Sequence, residues 1–186
     1  MGGARRAGLA RAALAGGALS TLLTFGCAGS DLVVEGGRLR HPRQGYSVAI
    51  PSQPPWTRIS ADDIDLAYRA PGAAFMSLQS RCNRPLARPQ VMARHLVIGL
   101  PERVVRQAGP VGVGEWPGWV QVFDTLHEGA AVRVKTVTIV AGRCTFDWVL
   151  SARAGFEQAE PSFDAWWQSF EYEPGEAAVG RREEPK

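Results

Sequence analysis

The residues able to do chemistry in this chain are few and scattered. Among its 186 residues are three histidines, His41, His95 and His127, and they form no HxxxH or HExxH pattern. A metal held by protein side chains needs ligands at close, repeated spacing, and no such set occurs. His95 sits inside an apolar helical stripe, where a packed or edge imidazole is the ordinary reading, and His127 falls at a hairpin end. Ser47 lies in "GYSVA". A nucleophile elbow needs G-x-S-x-G on a strand-to-helix turn, but here the fifth position is Ala49 and the serine lies within a strand. "GVGEWPG" from Gly112 lacks the third glycine, the following helix and the Lys-Ser/Thr pair of a phosphate loop. Asp62, Asp63 and Asp65 in "DDID" lack the spacing and closing Glu of a calcium loop, so they read as a solvated turn. The sequence therefore predicts no enzyme, no metal and no cofactor.

The three cysteines say more. Cys27 follows Arg5, Arg6 and Arg11, a charge-free apolar run from Ala12 to Phe25, and Gly26. A basic opening, a short apolar stretch and small residues at a cut are the parts of an export signal. The apolar run is about 14 residues, short of the roughly 20 that a membrane-spanning helix needs. The Leu23–Cys27 stretch resembles the lipobox of bacterial lipoproteins. That resemblance implies cleavage before Cys27 and acylation of its thiol, with two or three acyl chains giving stable anchorage. The alternative is a plain secreted protein with an incidental cysteine. Ala28, not Asp, follows the cysteine, which leans toward the outer rather than the inner membrane.

Loss of residues 1–26 would remove three arginines and no acidic residue, leaving 18 basic and 18 acidic side chains. A neutral domain gives no electrostatic case for nucleic acid. With Cys27 assigned to lipid, Cys82 and Cys144 are left. Each is in phase with the apolar face of its own predicted strand, and an exported chain meets oxidising conditions. A bridge is expected, closing a loop that stabilises by roughly 4 kcal/mol in the chain-entropy model. The alternative is two buried thiols.

The elements that must position these residues follow from periodicity. Strands are predicted at 45–50, 54–60, 64–70, 74–82, 104–113 and 144–152, with a hairpin of 118–129 and 131–142 about Glu128-Gly129. Helices are predicted at 89–100, opened by Pro89, and at 160–174, with Ser162 as N-cap. In the first, Met92, Leu96 and Gly99 share a stripe. In the second, Phe163, Trp166, Trp167 and Phe170 share one apolar face. Residues 27–43 read as a flexible tether and 174–186 as a disordered tail. The expected fold is α+β: one antiparallel sheet of seven or eight strands carrying both helices.

The carriers "QGYSVAIPSQPPW", "AFMSLQSRCNRP", "GRCTFDWVLSA" and "FDAWWQSFEY" resemble the PsbP-like superfamily, which includes DcrB-like bacterial lipoproteins. The resemblance spans residues 44–173. It implies an accessory or interaction module of an envelope assembly with no shared catalytic centre. A carrier of a small apolar ligand between sheet and helix is the second reading. Trp116 and Trp119, flanking the "PG" turn, are the candidate partner surface, since exposed aromatics at a turn can mark one.

Overall fold

Alternating apolar and β-branched residues make most of this chain strand, and short glycine turns make the strands antiparallel. The computed structural model describes residues 32–52, 55–100 and 102–174. The leader, Cys27 and the tail beyond Pro174 lie outside the described residues. In chain order the elements are β1 Val33–Glu35, β2 Arg38–His41, β3 Tyr46–Ala49, β4 Thr57–Ile59, β5 Leu66–Ala70 and β6 Ala74–Cys82. There follow α1 Pro89–Leu96, β7 Val104–Val113, β8 Trp116–His127, β9 Ala130–Ala141, β10 Cys144–Ala152, α2 Phe156–Gln168 and β11 Glu171–Tyr172.

The fold is α+β. A seven-stranded antiparallel sheet runs β4-β5-β6-β10-β9-β8-β7. A second sheet, β1-β2-β3-β11, is a correction to the single sheet expected. Its first two strands lie in the segment read as tether. β1 and β2 pair across Gly36-Gly37, and Leu39 and His41 are buried. His41 packs its ring against Tyr46 and accepts the Gln44 N–H at Nδ1. Strands of two to four residues carry too little period to be read; β2 and β11 are strands through pairing with β3, and β1 through pairing with β2.

One face of the large sheet is apolar. Met76, Leu78, Val137, Ile139, Phe146, Trp148 and Leu150 are buried there. Against them lie the small sheet and α2, through Phe156, Phe163, Trp166 and Trp167. The aromatic face of α2 is thus core, and Phe170 just after it joins Phe146 at 4.7 Å between ring centroids. Helix α2 begins earlier than expected, at Phe156. Gly155, at φ 73°, makes the left-handed step into it, which glycine takes without strain. Pro161 is accommodated inside. Ser162 caps nothing; its hydroxyl accepts the Trp56 indole N–H at 2.9 Å.

Polar ties set the register of helix and sheets. The buried Lys135 ammonium on β9 donates to Glu160 Oε1 at 2.7 Å and Asp164 Oδ2 at 2.9 Å on α2. Burial alone would lower its pKa, but the bonds and charges of Asp164 and Glu160 outweigh that and hold it above the ordinary lysine value. Arg38 donates to the Ser169 carbonyl at 2.6 Å, fastening the small sheet to the end of α2.

Candidate interaction surface

Cys82 and Cys144 are directly opposed in the register of β6 and β10, and their sulfurs are bonded. β6 and β10 neighbour each other in space, while α1 and β7–β9 lie between them in sequence. The bridge therefore locks a long excursion of chain shut. Its Cys144 sulfur accepts the Tyr172 hydroxyl at 3.7 Å, so the small sheet closes over it.

Trp116 is only partly exposed. It packs on the core, edge-to-face with Tyr172 at 5.4 Å. Next to it, Gly118 is required by close approach: a Cβ there would meet Ile139 Cδ1 at 2.4 Å and the Thr138 carbonyl at 2.8 Å. Trp119 points the other way. It pairs with Thr138, which pairs with Asp147, on the face opposite α2. It is half-buried there.

That second face is covered in part by α1. Ala93 is its buried residue, and Val97, its C-cap, packs with Phe123, Val132 and Val134. The expected Met92–Leu96–Gly99 stripe is displaced by one position: Met92 and Leu96 are half-buried, and Gly99 lies beyond the helix end at a left-handed φ of 89°. Gln121 donates to the Ala93 carbonyl at 3.2 Å and pins the helix. On the same face of the sheet lies a buried polar pair, Thr138 and Asp147. Asp147 is only 4% exposed. Its Oδ1 accepts the Thr138 hydroxyl at 2.7 Å, and Arg81 stands 3.8 Å from Oδ2.

Burial pushes the Asp147 carboxyl above its ordinary range, against the pull of Thr138 and Arg81. A carboxyl whose pKa is raised on folding binds its proton more tightly when folded. Stability then falls as pH rises from the unfolded value through the folded one. Asp147→Asn keeps an acceptor for Thr138 and removes the buried charge. It is expected to raise the urea midpoint at pH 7, and the advantage should vanish in acid below the unfolded carboxylate pKa. Urea titrations of both proteins across pH 3–7 check this; a lower midpoint at pH 7 would show the charge to be stabilising.

Beyond α1 the chain leaves apolar side chains uncovered. Ile98 is 73% exposed, and Leu100, Val104 and Val105 are also exposed. Val105 pairs with Phe123, so it shares the α1 face. These residues adjoin β7, the edge of the large sheet. The hairpin register points the backbone of Ala108, Pro110 and Gly112 off that edge, and Pro110 blunts it by lacking an N–H. Nothing in composition or spacing marks this corner. It follows from where α1 stops.

Other candidates are tied into structure. Ser47 Oγ accepts Arg38 Nε at 3.1 Å and donates to Glu171 at 3.2 Å. Asp62 and Asp63 are exposed. Asp65 Oδ2 instead accepts the Tyr46 hydroxyl at 3.1 Å and the Ser80 N–H at 2.9 Å. Burial, then Asp65, holds the Tyr46 phenol far above its usual pKa. Among the described residues no group of three His, Cys, Asp or Glu is placed to hold a metal ion. The space between sheet and α2, where a carrier would hold its ligand, is filled by Trp148, Phe163, Trp166 and Phe170.

No protein-family model matches the chain, and no curated protein does. Solved structures do. CyanoP, the cyanobacterial PsbP of Synechocystis, aligns with a TM-score of 0.56 at 13% identity, over 83% of this chain and 99% of that one. LpqN of Mycobacterium tuberculosis, a protein involved in cell envelope biogenesis, aligns at 0.52 and 12%, over 69% and 84%. A Pseudomonas aeruginosa protein of unknown function aligns at 0.51 and 14%, over 64% and 98%. At such identities the likeness is one of fold alone, and the fold is PsbP-like.

Proposed function

We propose that this chain is a lipid-anchored, non-catalytic envelope lipoprotein of the PsbP-like and DcrB-like kind, acting as an accessory module that docks an envelope protein. The observation that carries the docking role is the uncovered corner formed by Ile98, Leu100 and Val105 beside the β7 edge. The large apolar side chains of α2 are spent in the core, whereas Ile98, Leu100 and Val105 are exposed close together in sequence beside the sheet edge. Contiguous apolar surface on a soluble domain marks a contact site. The Gly26-Cys27 junction behind a charged-then-apolar leader supports the anchor. LpqN, involved in cell envelope biogenesis, shares the fold and supports the setting.

A photo-crosslinking side chain at position 98 tests the docking role in intact cells. The expected result is one discrete higher-mass adduct containing an envelope protein, absent when the same side chain replaces the exposed Arg69. Equal adducts from both positions, or none from either, contradict the assignment.

A further inference from the structure

We infer that the outer edge of the small sheet, at β1, is seated on the lipid bilayer, so that the α1 face is the one turned toward a partner. The inference rests on the anchored reading and adds an orientation to it. It starts from the length of chain between anchor and fold. Leu32 already packs against the core. Five residue steps separate it from Cys27, and a chain of five residues spans at most about 18 Å. A domain of this size has a radius of gyration of roughly 14 Å, hence a diameter near twice its tether. Such a domain cannot roll over to bring its far side to the membrane. The part beside Leu32 must face the lipid.

That part is suited to it. β1 is the free edge of its sheet. Val33 is 46% exposed and Val34 is 65% exposed. The two-residue hairpin makes Glu35–Arg38 and Val33–Arg40 the bonded pairs, which turns the Val34 N–H and carbonyl off the edge. An exposed apolar edge strand is a liability unless something covers it, and a headgroup layer covers it here. The ion-paired side chains around it are two arginines and three glutamates, which leaves no basic excess. Arg40 lies 3.6 Å from Glu35 and 3.2 Å from Glu173, and Arg38 lies 3.1 Å from Glu171. The contact therefore needs no anionic lipid. The α1 corner, on the opposite face of the large sheet, is left free.

The test couples residues 27–186, which contain every described residue, to phosphatidylcholine vesicles through a maleimide lipid. With Cys82 and Cys144 bridged, Cys27 is the free thiol. Coupling places the chain on lipid whether or not cells acylate it, and acylation is read separately in cells. Amide hydrogen exchange is then compared with the same chain capped by a soluble maleimide. Exchange at residues 33–41 should slow severalfold on vesicles and stay as in solution at residues 104–113. The slowing should persist unchanged when a fifth of the lipid is phosphatidylglycerol. A flexible twelve-residue insertion between Ser30 and Asp31 should abolish it. Unchanged exchange at 33–41, protection at 104–113 instead, or protection that survives the insertion would each overturn the orientation. So would protection of 33–41 in the capped chain that grows with protein concentration, since a second copy would then be the occupant.

Discussion

Trp166→Ala is expected to lower the unfolding free energy by about 3–5 kcal/mol. Trp166 is buried on α2 and meets Tyr68 edge-to-face at 5.5 Å. Its indole N–H has no partner among the described residues, so what is lost is packing and the cavity left behind, not a hydrogen bond. Trp166→Phe should therefore recover most of the loss. The urea midpoint measures both, with an unchanged slope showing that the same surface unfolds. A midpoint that does not move with Trp166→Ala would mean that the stripe is not core and that α2 is a docking helix.

Removal of the bridge ranks beside it. Cys82→Ala with Cys144→Ala is expected to cost about 2–5 kcal/mol, chiefly by freeing the unfolded chain. The residues between the two cysteines include α1 and three strands of the large sheet, so the loop that opens is long. Thiol reductant should lower the melting temperature of the wild-type chain and leave the double variant unmoved. Equal reductant sensitivity, or a double variant as stable as wild type, would contradict a structural role for the bond.

The large sheet was legible because its strands are long. "AFMSLQSRC" and "CTFDWVLSA" keep a period of two over nine residues each, and that phase put both cysteines on one face. The α2 stripe was legible for the same reason, with Phe163, Trp166, Trp167 and Phe170 marking one side. What failed was short or cooperative. β1, β2 and β11 have two to four residues and gain their strand character from neighbours. The start of α2 was hidden because Ser162 reads as an N-cap, while Gly155 sets the true start and Pro161 lies inside the helix. The burial of Asp147 was not legible, because alternation reports which face a residue is on and not what covers that face. The corner at Ile98 could not be read at all, since it depends on where α1 ends relative to Phe123 and Val132. Trp116 carried the expected signal of an exposed turn aromatic and was drawn instead onto Tyr172.

The lipid anchor depends on Cys27. Radiolabelled palmitate fed to cells making the full chain should enter the wild-type protein and not Cys27→Ser, with the label retained on the membrane fraction. Equal labelling of the two, or no label in a wild-type chain that is exported and shortened, would contradict a lipid-anchored module.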